Sequence, residues 1–184
     1  EAGGLRILVD CGLYQEREFI GRNWKPFPVA PGSIDVLLLT HVHLDHCGYI
    51  PRLVKGGFSG EILATQATRA MYPIVILDAA EIQEEDAAYK KKRHKKEGRK
   101  GPYPEVPLYT VEEAKRTLPM VKPVPYNTHI TLNDSIKVCW YDAGHILGSA
   151  MVEIMVKEGN AWKNIIFSGD MGQWNKPFVK DPTL

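Results

Sequence analysis

The stretch Thr40–Gly48, THVHLDHCG, constrains this chain more than any other. Three of its six histidines and an aspartate fall within six residues, directly after the apolar run IDVLLL. Packing cannot easily use His41, His43, Asp45 and His46 together, because crowded polar groups carry a desolvation cost unless something binds them. A metal ion is the obvious partner: imidazole and carboxylate suit zinc and related divalent ions, and manganese or iron also accept such a set. The preceding run, Ile34–Leu39, reads as a strand buried on both faces. His41 and His43, two residues apart at its end, project to one side. Asp45 and His46 follow where the chain turns into a helix. The fold must therefore deliver a buried strand to a polar, ligand-rich edge.

Two later segments repeat this strand-then-polar-turn layout. DAGHILGSA places His145 after the strand IKVCWY and beside glycines that permit close approach, and FSGDMG places Asp170 at another strand end. Asp10, in LVDCG, is a third strand-end carboxylate. Further strands are expected at Leu5–Asp10, Glu61–Ala64, Ile136–Tyr141, Ala150–Val156 and Asn164–Phe167. A helix is expected over Cys47–Lys55, with Pro51 in its first turns and Gly56-Gly57 ending it. A long helical stretch covers Ala67–Glu97 with a break near Pro73. Gly98–Pro107 reads as a loop, and Thr110-Val-Glu-Glu113 as a capping box opening another helix. Strands at both ends and helices in the middle point to an α/β layered fold.

The chain has 184 residues, 44% apolar and 24% charged, with a net charge of +1. That is ordinary globular composition for one domain with a core. No run approaches the ~20 apolar residues of a membrane span, and the start, EAGGLRILVDCG, reads as a folded strand rather than a signal peptide. Cys11, Cys47 and Cys139 are odd in number without CxxC spacing, which fits buried free thiols in a reducing, cytoplasmic setting. Glu1 opens just before a strand, and the chain stops at DPTL straight after a polar motif, so a fragment cut at both ends is expected.

In this order, LVDCG, THVHLDH, GHILGSA and SGDMG resemble the first four motifs of the metallo-β-lactamase superfamily. CGLYQ, HCGYIPRLVK, AGHILGSAM and EIQEEDAAY…PLYTVEEA are similar to the β-CASP branch of RNA-processing nucleases, prokaryotic type. The resemblance implies an αββα sandwich, present here in part, with residues 1–184 as the N-terminal part of the metallo-β-lactamase domain. The inserted β-CASP domain and the C-terminal part would lie outside this chain. It also implies a zinc-dependent ribonuclease that cleaves RNA phosphodiester bonds with a metal-activated hydroxide. His41, His43 and His145 would hold one zinc, Asp45 and His46 a second, and Asp170 would bridge them. Asp10 would orient ligands, and Asp45 would also orient the nucleophile. Later family histidines that complete the second site are not matched: His94 and His129 lie in other contexts.

RNA is the expected partner, a homodimer is left open, and no membrane partner is expected. Residues 90–100, KKKRHKKEGRK, hold eight of the 23 basic residues, so Lys90, Lys91, Lys92, Arg93, Lys95 and Lys96 are candidate phosphate contacts. The competing reading is a solvated helix end, where cations suit the helix dipole. Tyr14, Phe19 and Trp24 could stack bases or pack as a lid. Two rival functions remain: a hydrolase of small lactams, thioesters or lactones, and a non-catalytic binding module.

Overall fold

The computed structural model describes residues 1–183. Strands β1 (Ile7–Val9), β2 (Val36–Leu38), β3 (Glu61–Thr65) and β4 (Val121–Val124) form a parallel sheet in that order. Strands β5 (Ile130–Asn133), β6 (Ile136–Asp142), β7 (Ala150–Glu158) and β8 (Ala161–Phe167) form an antiparallel sheet, also in sequence order. The α-helices are α1 (Leu44–Cys47), α2 (Ile50–Lys55), α3 (Gln66–Glu97) and α4 (Val111–Lys115), and short 3-10 turns cover Ile20–Trp24, Pro31–Ser33 and Leu118–Met120.

Alternation along β2 sets the layers. Leu37 and Leu39 point to one side, into a core shared with Ile50, Leu53, Tyr72 and Ile76 of the helices. Val36 and Leu38 point to the other, against Ile136, Val138, Trp140, Val152 and Ile154 of the antiparallel sheet. The order is thus helices, parallel sheet, antiparallel sheet: three layers of the expected αββα sandwich among the described residues. Buried Trp140 ties the two sheets together, its Nε1–H donating to the Leu39 carbonyl at 3.1 Å. That bond fixes the backbone immediately before Thr40 and His41.

Three local expectations are corrected. The helix expected over Cys47–Lys55 is two short helices, because the Tyr49 N–H turns to the Cys11 carbonyl at 2.9 Å and Pro51 offers none to the turn before it. The break near Pro73 is absent: α3 runs through it. Tyr72 and Ile76, fully buried on either side of that proline, hold the helix in line through packing. Two strands were not anticipated, β4 and β5. β4 contains Pro123, tolerated because β4 is the edge of its sheet. The Thr110 capping box is present, with both reciprocal hydrogen bonds.

Candidate metal centre

Four polar loops meet at one edge of the sheets. They follow the C-terminal ends of β1 (Asp10), β2 (residues 40–46), β6 (His145) and β8 (Asp170). Close backbone contact holds them there. The Cys11 N–H donates to the His46 carbonyl at 2.7 Å and the Leu13 N–H to the Leu44 carbonyl at 2.8 Å. A Cβ on Gly12 would sit 1.6 Å from the Asp45 carbonyl oxygen, and one on Gly172 would sit 1.6 Å from that of Gly144. Only glycine permits either approach.

Asp10 organises the β2 loop from a left-handed backbone conformation, φ 56°. Its Oδ1 accepts from the Thr40 N–H at 2.8 Å. Its Oδ2 accepts from the Thr40 hydroxyl at 2.8 Å and from His46 Nδ1 at 2.7 Å. The Thr40 hydroxyl has one proton, given to Asp10, so its 2.9 Å contact with His41 Nδ1 must be an N–H donating to Thr40 Oγ1. Both imidazoles are thereby fixed as Nδ1–H tautomers, and the lone pair of each Nε2 faces the cluster.

These lone pairs converge. His43 Nδ1 lies 3.1 Å from His41 Nε2 and 3.2 Å from His145 Nε2. One ring nitrogen carries either one lone pair or one proton, so it cannot bond both neighbours at once. Asp170 Oδ2 is 3.8 Å from His41 Nε2 and 3.5 Å from His145 Nε2. Ligands about 2.0–2.1 Å from a tetrahedral zinc stand about 3.3–3.4 Å apart, so these separations fit a shared ion. Donor atoms of His41, His43, His145 and Asp170 all lie within 4.8 Å of one another. The other Asp170 oxygen, Oδ1, is 3.3 Å from His46 Nε2, and Asp45 Oδ2 is 3.9 Å from the same nitrogen. Asp170 thus presents one oxygen to each of two adjoining donor groups.

Electrostatics favour a neutral, ligand-ready His41 and act in the opposite direction on His46. Burial, followed by the neighbouring His46 and His43, lowers the pKa of fully buried His41 to about 4. The hydrogen bond to Asp10 raises that of His46. Cys11 and Cys47 are buried, and desolvation pushes both thiols far above their ordinary range; they pack as apolar groups.

Every proposed ligand from the sequence lies in or beside this cluster. Thr40 and Ser149 were missed. Ser149 Oγ accepts from the His145 and Ile146 N–H groups at 3.0 and 3.1 Å and so fixes the His145 turn. The signal for Thr40 was its position between a strand and the first histidine; Ser149 carried none. His94 and His129 lie apart, paired with Glu105 at 2.6 Å and Glu153 at 3.6 Å. The basic run occupies the far end of α3. Thr65 and Thr68 anchor the start of that helix to the Gly148 carbonyl, and at 1.5 Å per residue Lys90 lies about 35 Å further along. Lys90 pairs with Asp86 at 3.4 Å and Arg93 stacks over Tyr89, while Lys91, Lys92, Lys95 and Lys96 are exposed.

Stacked sheets with a histidine–aspartate cluster at their strand ends define a layered α/β protein built around a metal-type site. The family model described as the metallo-beta-lactamase superfamily domain matches residues 1–177, and the chain belongs to that superfamily. Ribonuclease TTHA0252 of Thermus thermophilus is 33% identical over 183 residues, covering 100% of this chain and 36% of that protein. Transcription termination factor FttA of Methanocaldococcus jannaschii is 30% identical, covering 90% of this chain and 23% of its own length. Endoribonuclease ysh-1 of Neurospora crassa is 35% identical, covering 91% and 18%. The chain therefore spans about a third or less of these relatives, whose names agree with the β-CASP resemblance. Among solved structures, a metallo-beta-lactamase of Cronobacter sakazakii superposes with a TM-score of 0.52 at 18% identity, covering 96% of this chain and 53% of that one. This likeness concerns the fold. No helix among the described residues is long and apolar enough to cross a membrane.

Proposed function

We propose that this chain is the metal-binding part of a zinc-dependent ribonuclease that cleaves RNA phosphodiester bonds. The carrying observation is the convergence of His41, His43, His145 and Asp170 donor atoms within 4.8 Å, with Asp45 and His46 adjoining. Relatives named as ribonucleases supply the substrate class. In this reading His41, His43 and His145 would hold one zinc, Asp45 and His46 would hold a second, and Asp170 would offer one oxygen to each. Bound zinc supplies an acidified water and offsets charge on the phosphoryl group. Asp10 holds His46 directly and His41 through Thr40, keeping both lone pairs aimed inward. Asp45, half exposed at the cluster edge, orients a water there. Buried free cysteines suit a reducing compartment such as the cytoplasm.

The test is cleavage of end-labelled single-stranded RNA by zinc-loaded protein, beside a lactam and a thioester. RNA cleavage that stops on chelation is expected; turnover of the small substrates without RNA cleavage would favour the rival hydrolase. Asp10→Asn places an amide donor against protons that Asp10 now accepts. It is expected to lower zinc affinity about 10- to 100-fold, measured by competition with a chromogenic chelator.

The basic run is proposed as a sequence-blind phosphate contact for RNA long enough to reach it. Replacing Lys91, Lys92, Lys95 and Lys96 together by alanine is expected to reduce the slope of log affinity against log salt by about 3, at about 0.7 per lost phosphate contact on a single strand. An unchanged slope would leave those lysines as a solvated helix end.

A further inference from the structure

A cleft of about 750 Å³ opens directly beside the donor cluster. Its wall includes Asp10 and Asp45, so it shares two carboxylates with the site. The remainder is built by the loop after β1 and by Tyr49, the residue before α2; no part of the ligand set explains that loop. That loop is not loosely placed. Buried Asn23 bridges across it, accepting from the Tyr14 N–H and donating to the Tyr14 carbonyl, both at 2.9 Å. Arg22 is held over the rings of Tyr14 and Phe19, 5.3 and 4.6 Å from their centroids. Phe27 and Tyr49 form an aromatic pair with centroids 5.8 Å apart. Tyr14, Arg22, Lys25, Phe27 and Tyr49 all line the cleft, with Glu16 on the same rim.

Cations beside aromatic rings, in a recess next to a phosphodiester-cleaving site, match the chemistry of a single-stranded nucleotide: the ring faces stack the base and the cations meet the phosphate. A second cleft of about 510 Å³ continues the first, sharing Lys25, Phe27 and Tyr49. An unpaired strand thus has a continuous track leading away from the cluster past Asp45.

We propose that the cleft between the β1 loop and α2 binds the unpaired nucleotide next to the scissile phosphate, with Arg22 and Lys25 contacting its phosphates and Tyr14 and Phe27 its base, while buried Tyr49 backs Phe27. This deepens the ribonuclease reading and rests on it. Arg22 and Lys25 are binding residues outside the ligand set, so they act on substrate affinity and leave metal content alone.

The experiment measures binding of a fluorescein-labelled single-stranded RNA hexamer with cleavage-resistant phosphorothioate linkages to zinc-loaded protein, by anisotropy. R22A/K25A is expected to weaken binding about tenfold or more, the scale of losing charge-assisted phosphate contacts. Zinc content and thermal melting should stay as in the wild type, and R22K/K25R should restore most of the affinity. Unchanged affinity in R22A/K25A, or failure of the conservative pair to rescue, would overturn the proposal. Cleavage of an ordinary RNA hexamer by the wild type is measured in parallel. A wild type that binds through the cleft but never cleaves would overturn the ribonuclease reading alone.

Discussion

His41→Ala is expected to release zinc and to reduce RNA cleavage by about a thousandfold or more. His41 is fully buried, its Nε2 lies 3.1 Å from His43 Nδ1 and 3.8 Å from Asp170 Oδ2, and its Nδ1 is committed to Thr40. No neighbouring side chain can replace it. An ion left with His43, His145 and Asp170 has lost one of four donors, and the charge stabilisation it supplies is worth several kcal/mol, with each 1.36 kcal/mol a factor of ten in rate. Zinc per chain by elemental analysis, and cleavage rate on the same preparation, read the two effects together. His129→Ala, outside the cluster and paired with Glu153, serves as the control and should alter neither. A His41→Ala protein with full zinc and full activity would remove the basis of the ligand assignment.

Gly12→Val should be the most damaging change that touches no ligand. The added Cβ would lie 1.6 Å from the Asp45 carbonyl oxygen and 2.6 Å from the His46 nitrogen. Both neighbours are backbone, so relief requires the β1 loop and α1 to part. Parting them breaks the Cys11–His46 and Leu13–Leu44 hydrogen bonds. A destabilisation of about 3 kcal/mol is expected from overlap in a close-packed site, together with weaker zinc binding, since Asp10 and His46 sit on opposite sides of that seam. Chemical denaturation and chelator competition measure the two losses. Gly32→Ala, whose nearest contact would be 3.3 Å, should cost far less.

What could be read from sequence follows physical locality. The clustered histidines and aspartates were legible because polar residues after apolar runs are costly without a purpose, and the strand-end layout recurred at Asp10, His41, His145 and Asp170. The buried strand β2 was legible from its unbroken apolar run, and α4 from its capping box. Other features depend on partners distant in sequence. β4 hides behind Pro123, acceptable only because nothing pairs on its outer side within this sheet. The continuity of α3 through Pro73 comes from the core around Tyr72 and Ile76. The Asp10–Thr40–His41 relay joins residues thirty apart, and the β1-loop cleft exists only once that loop meets α2.

Metal content decides whether these loops build a metal site. Protein purified without chelator, dialysed against zinc and then against metal-free buffer, should retain at least one zinc per chain by elemental analysis. A second ion should appear in a weaker phase, since Asp45, His46 and one Asp170 oxygen provide only three donors to it among the described residues. A wild-type chain that is folded by circular dichroism yet retains no zinc, manganese or iron would contradict the account.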